Sequence, residues 1–521
     1  MTMRPLIVVM FCAAAAGQPA PGGGIGREVA VPVHLTDGQE FELSVTDLVA
    51  HGRMLFTANW TSAEGGGRPR TKGTGKELAD LASPLKGRRG MNRISGPDAN
   101  SCAGCHNLPF GIPGGGGDFV TGVFVLGQRF DFATLDRTDR TPSRGAVDET
   151  GADVTLQTIG NYRATTGMHG AGYLELLARQ ITADLQAIRD RIPPGGSAEL
   201  RSSGIGYGVL ARDPGGAWIT SGVEGIAVGS LVTAGPTMPP SLVIRPWHQA
   251  GAVVSLREFT NNAFNHHHGI QSTERFGVDV DADGDGFGNE LTRADVTAAT
   301  LFQAAMAPPG RVIPRIPEVE AAVLRGERVF ESIGCASCHL PKLLLRSARF
   351  TEPGPYNPAG NLRQGEAETL TLDLSSLALP GPRLPQTAQG IEVPAFTDFK
   401  IHLLCDGPDD ENFEPLNMHH AAGTAGFAEG NGRFLTYRLW DSANQPPYGH
   451  HGRFSTMREA VESHGGEAAP VREAWRRLPA ADRDAVIEFL KTLQVLPPGV
   501  AVRVVDERYQ PREWPARGPV Q

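Results

Sequence analysis

The sequence has no surplus of positive charge. Its 48 lysines and arginines face 57 aspartates and glutamates, for a formal net charge of −9. A protein that neutralises a phosphate backbone needs the opposite balance, which excludes nucleic acid as a main partner. Cysteine is scarce, six in 521 residues, too few to staple a chain of this size with disulfides. No apolar stretch reaches the length of about 20 residues that a membrane-spanning helix needs, so stable membrane insertion is not expected. What is present is enough to build cores: 40% of residues are hydrophobic and 20% charged, which rules out global disorder. Glycine (65) and proline (40) make about a fifth of the chain, which predicts long loops and short elements. At roughly 150 residues per domain, the length implies two to four domains.

The first residues read as an export signal, residues 1–20. Arg4 supplies the positive charge, residues 6–16 are apolar, and small residues follow where cleavage would fall. The mature protein is therefore expected in the periplasm or secreted. Cys12 does not read as a lipid-anchor site, because Phe11 precedes it where a small residue is expected. Five cysteines remain: Cys102, Cys105, Cys335, Cys338 and Cys405.

Four of these five fall in two copies of one pattern, Cys102-Ala103-Gly104-Cys105-His106 and Cys335-Ala336-Ser337-Cys338-His339. C-x-x-C-H is the attachment pattern of c-type haem. Two thiols must reach the two vinyl groups of a porphyrin, and the next histidine must turn under the ring to bind iron. A redox pair would not need the histidine twice, and a zinc site would normally bring two C-x-x-C pairs close together. Two covalent haem c groups are therefore expected. Export agrees with this, because such haem is attached outside the cytoplasm. Around the motifs, residues 45–60, 321–333 and 481–495 carry helical apolar faces, and Gly334 ends the helix before the second motif. Residues 28–35 alternate like an edge strand, and residues 349–395 read as irregular. The fold class is mainly α: two cytochrome c-like haem domains with irregular loops and minor β.

A third pattern lies between the haem motifs. Residues 279–290 match D-x-D-x-D-G-x5-E, the calcium loop. Asp279, Asp281 and Asp283 would supply side-chain oxygens, Glu290 a bidentate carboxylate and Gly284 the sharp turn, with Asp285 as a further acidic ligand. Gly286 stands where paired loops carry an apolar residue, so a lone loop braced by a helix over residues 292–307 is expected, holding Ca2+.

The sequence resembles the bacterial di-haem oxidoreductases, the superfamily that includes the di-haem cytochrome c peroxidases. The likeness rests on Gly96-Pro97-Asp98-Ala99-Asn100-Ser101 leading into Cys102, on Gly167-Met168-His169-Gly170-Ala171-Gly172-Tyr173-Leu174-Glu175, and on Phe396-Thr397-Asp398-Phe399-Lys400-Ile401-His402. The most specific part is Tyr448-Gly449-His450-His451-Gly452-Arg453 followed by His464-Gly465-Gly466-Glu467-Ala468. The family carries a similar His-Asp-Gly-Arg, in which His451 here replaces the aspartate. Related peroxidases also hold calcium near their domain interface.

The resemblance implies roles beyond His106 and His339 as proximal iron ligands. His464 is the candidate second ligand of the second haem, with Met418 the competitor. From the run His266-His267-His268, His268 is taken as a ligand or lining residue of the first haem, with His169 a weaker choice. Glu175 stands where the peroxidases place their distal acid–base, and Trp247 is a candidate relay between haems. The expected domains are residues 27–250 with the first haem, a calcium-bearing connector 251–315, the second haem domain 316–497, and a tail 498–521. Peroxide reduction leads the functional expectations, with a small redox protein as electron donor or acceptor and peroxide as oxidant. The rivals are a non-catalytic electron carrier and, as in related di-haem rubber oxygenases, oxygenation of an organic substrate.

Overall fold

Two helix pairs carry the molecule. The structure is a computed structural model that describes residues 26–66, 100–116, 123–125, 160–162, 164–281, 286–414, 417, 419–420, 426 and 429–515. The export segment, most of residues 64–97, Asp283, Asp285 and Met418 lie outside the described residues. Among those described, the helices are α1 (Val45–Thr57), α2 (Cys102–Cys105), α3 (Ala171–Arg189), α4 (Leu256–Ala263), α5 (Thr273–Phe276), α6 (Arg293–Ala305), α7 (Pro317–Ser332), α8 (Met457–Glu462), α9 (Ala469–Arg477) and α10 (Ala480–Lys491).

The first pair is α1 against α6. Ser44 caps α1 by accepting from the Asp47 amide, and Thr292 with Asp295 forms a capping box on α6. The helices meet at Gly52, where an added Cβ would stand 2.0 Å from the Ala298 carbonyl oxygen and 2.9 Å from the Phe302 Cβ. Only glycine lets the two backbones approach this closely. The second pair, α7 against α10, repeats the construction. At Gly326 a Cβ would stand 2.0 Å from the Ala485 carbonyl oxygen and 2.9 Å from the Phe489 Cβ. One turn beyond each glycine comes a phenylalanine. Phe56 lies 5.3 Å from Phe302 and Phe330 lies 5.3 Å from Phe489, centre to centre. The helix that closes the first pair, α6, therefore comes from the segment expected to be a connector.

The remainder is less helical than expected. Helix makes about 32% of the structure, and short strands form two- and three-stranded sheets, so the fold is mixed rather than clearly mainly α. The stretch 349–395 forms strands Arg349–Glu352, Leu370–Asp373 and Ile391–Val393. Phe350 and Leu372, paired across the first two, are buried, and that burial outweighs the proline and glycine between them. Residues 28–35 form no ladder. Their amides go to carboxylates instead: Ala30 and Val31 donate to Glu64, and Leu35 donates to Asp295. The expected tail is packed as far as it is described. Val504–Val505 pairs with Gly310–Val312, and the Trp514 indole donates to Glu327.

Asp295 is fully buried and also takes His34 Nδ1 at 2.7 Å and His51 Nε2 at 2.8 Å. Burial works against its charge, but the two histidines win and hold its pKa down at about 2. A depressed carboxyl stabilises the fold above its unfolded value near 4 and loses that contribution as pH falls through the folded value. Thermal melts of Asp295→Asn are therefore expected to lie below the wild type at neutral pH, and the gap should close as pH falls towards 2. Gly326→Ala should cost about 1–3 kcal/mol by overpacking the helix crossing; an unchanged melting temperature would contradict the close approach.

Candidate functional site

The second C-x-x-C-H motif follows directly from α7. Gly334, at φ +100°, turns the chain into the short helix Cys335–Ser337, and His339 comes next. The His339 Nδ1 lies 3.1 Å from the Phe396 carbonyl oxygen. A carbonyl only accepts, so Nδ1 carries the proton and Nε2 keeps its lone pair for a metal. His464, just beyond α8, has the same arrangement, with Nδ1 2.7 Å from the Ala460 carbonyl. The two ring centres are 6.4 Å apart. An ion about 2 Å from each Nε2 sets two imidazole centres a little over ~6 Å apart, so the spacing fits one metal between them. Burial, reinforced by His464, lowers the His339 pKa to about 4, and burial also lowers that of His464. Both rings are thus neutral, as metal ligands must be.

The first motif is α2, and it stands against α1 as the second stands against α7. Phe56 lies 6.1 Å from the His106 ring, and Phe330 lies 6.4 Å from His339. The His106 Nδ1 donates to the Thr166 carbonyl at 3.0 Å. Phe56, Met168 and Met306 form an apolar cluster against Cys102. Burial, then the charge of His267, lowers the His106 pKa to about 4. His267 thus lies in electrostatic reach of His106, and its own pKa is lowered by burial to about 4. His268, the sequence-based choice, has its Nε2 3.5 Å from Cys102 Sγ and so lines the attachment side. The run sits in a π-helical turn, Phe264–His268, which re-aims successive side chains and is a common device at functional sites. His169 is buried, and its Nε2 has no hydrogen-bond partner.

The four motif cysteines are partly buried and form no disulfide. Burial pushes Cys102 and Cys335 up to about 12, so these are not the exposed, low-pKa thiols of a redox pair. The segment after strand Arg433–Leu435 acts electrostatically on both sites: the Tyr437 backbone favours protonation of His339, and the charge of Arg438 disfavours protonation of His106 and His169.

One expectation needs correction. Glu175 is buried on α3 with both oxygens in use: Oε1 accepts from Arg179 at 2.6 Å and Oε2 from the Leu256 amide at 2.7 Å. It ties α3 to α4, and no side chain of either cysteine motif is among these partners. Glu290 turns inward and accepts from the Gln271 amide at 2.8 Å through Oε2. Asp279 is paired with Asn289. The loop instead closes through Asp281, which accepts from the Gly286 amide at 3.0 Å. The acidic run can also be read two residues on, with Asp281 first and Gly286, at φ +96°, at the sharp turn. Trp247 is buried and bridges to Val253 through its backbone.

Among the described residues no helix is long and apolar enough to cross a membrane. No curated protein matches the chain. Among solved structures, a hydrazine synthase of Kuenenia stuttgartiensis is similar at 12% identity and a TM-score of 0.32, over 94% of this chain and 100% of that one. A MauG-like protein associated with microbial copper homeostasis is similar at 18% identity and a TM-score of 0.25, over 54% and 80%. A family model described as "Di-haem oxidoreductase, putative peroxidase" matches residues 421–493. That span holds both the His450-His451 segment and His464, so the segment that sets a second histidine opposite His339 is the one that resembles a di-haem oxidoreductase.

Proposed function

We propose that the chain is an exported di-haem c-type oxidoreductase of the peroxidase kind, built from two cytochrome c-like units. One haem is held by Cys102, Cys105 and His106, the other by Cys335, Cys338 and His339. The observation that carries this is the His339–His464 pair, 6.4 Å apart with both Nδ1 atoms on carbonyls. The matching helix crossings at Gly52 and Gly326 support two units of one kind, the first running from α1 through α6. Haem in these sites supplies one-electron chemistry and, where an iron position is open, reaction with peroxide. The protein's own part is orientation and shelter. The Thr166 and Phe396 carbonyls fix His106 and His339, while Phe56, Met168 and Met306 keep water from the first site. A small redox protein outside the cytoplasm is the partner, and peroxide the oxidant. Export rests on Arg4 and the apolar residues 6–16.

One observation favours a second reading. His267 faces His106 electrostatically much as His464 faces His339. Two sites that each bind iron through two histidines leave no open position, which suits an electron carrier. EPR of the purified protein at each redox stage separates the two: a high-spin signal at any stage supports the peroxidase, and two low-spin haems throughout support the carrier.

Cys335→Ser should weaken covalent attachment at the second site alone. An unchanged haem-stained band would reject that site. His464→Ala should turn the second haem from low to high spin and leave the first unaltered, so an unaltered spectrum removes His464 as a ligand. Calcium in the loop of Asp281, Asp283 and Asp285 should stabilise the fold by mass action; melting curves that coincide in calcium and in chelator would argue against it.

A further inference from the structure

His402 is wedged between two carboxylates. It lies in strand Ile401–Leu403. Its Nε2 is 3.0 Å from Asp398 Oδ2 and its Nδ1 is 2.7 Å from Glu467 Oε2. Asp398 is buried, whereas the Glu467 side chain is 48% exposed. The row therefore leads from solvent to the interior. At its inner end stands Cys338: the Cys338 sulfur, an Asp398 oxygen and a His402 nitrogen all lie within 4.8 Å of one another. Asp398 also acts electrostatically on His339. Glu467 is steadied by the Leu403 amide at 2.9 Å and by Arg433 at 3.5 Å, and Asp398 by the Lys400 amide at 2.9 Å.

Each imidazole nitrogen meets a carboxylate oxygen, and a carboxylate only accepts, so both nitrogens carry protons and the ring is an imidazolium. Burial works against that charge, but Asp398, Cys338 and Glu467 outweigh it and raise the His402 pKa to about 11. The ring stays charged across the physiological range. With both nitrogens committed, His402 is not an iron ligand. It is a fixed positive charge between two fixed negative ones, beside the second attachment cysteine.

We propose that Asp398, His402 and Glu467 form a charge relay that sets the reduction potential of the haem held at Cys338 and His339. The proposal rests on the haem assignment above. Reduction of that haem takes up one electron from an external donor, with no bond made or broken in the relay. The added negative charge is opposed by Asp398 and favoured by His402, and at the low dielectric of a buried site both effects are large. Opposite signs follow for the two substitutions. His402→Gln should lower the midpoint potential of the second haem, and Asp398→Asn should raise it. The first haem should keep its midpoint in both.

The test is a spectroelectrochemical titration of the full-length holoprotein and its variants, with pyridine haemochrome spectra to count haem. Shifts of opposite sign at the second haem alone support the relay. Shifts of the same sign, as from mere loosening of the site, or no shift at all, overturn it. If His402→Gln does not yield folded protein, Glu467→Gln removes a negative charge from the solvent end and should raise the same midpoint; a fall or no change overturns the relay there. Failure of the underlying haem assignment looks different: Cys335→Ser would then retain its full haem count.

Discussion

Backbone contact between crossed helices is the constraint on which the rest depends. At Gly52 and at Gly326 one helix lies so close to the carbonyl of another that no side chain fits between. The close approach fixes the rotation of both helices. It brings Phe56 and Phe330, one turn further on, beside His106 and His339. A methyl group at either glycine would push apart the surfaces that hold the histidine rings upright. The same contact also explains why α6, distant in sequence from α1, belongs to the first unit.

A second framework is ionic. Arg257 is fully buried and pairs with Glu274 at 2.9 Å and Glu352 at 3.0 Å, while Arg179 lies 3.9 Å from Glu352 and Glu175 accepts from the Leu256 amide at 2.7 Å. These contacts tie α3, α4, α5 and strand Arg349–Glu352 into one block. Breaking one partner of such a buried pair typically costs about 3–5 kcal/mol. The block matters for chemistry because α4 runs directly into the π-helical turn that carries His267 and His268. Glu175, expected to move protons, belongs to this framework.

Sequence legibility followed the strictness of the chemistry. The two C-x-x-C-H motifs were readable because thiols and histidine must keep that spacing, and α1, α7 and α10 were readable from their apolar faces. His464 was reachable only through a family-like motif. His267 was not distinguishable from His268, because consecutive residues differ by about 100° on a helix and a π-turn changes that angle. Glu290 sits at the end of a run that D-x-D-x-D-G fits from either Asp279 or Asp281, so spacing alone does not fix the register of that loop. The row formed by Asp398, His402 and Glu467 spans a strand pairing and a distant turn, so no local spacing announces it. The strands in residues 349–395 were hidden by proline and glycine, whose turn signals masked the buried Phe350 and Leu372.

The segment carrying Tyr437 and Arg438 gives the two sites a shared boundary. Adjacent residues act on different histidines, the Tyr437 backbone on His339 and the charge of Arg438 on His106. A peptide plane is stiff, so a displacement that begins at one residue is passed to its neighbour. Coupling between two sites is reciprocal by thermodynamic necessity. Any coupling carried by this segment acts equally in both directions, while each site keeps its own cysteines, its own helix crossing and its own carbonyl clamp.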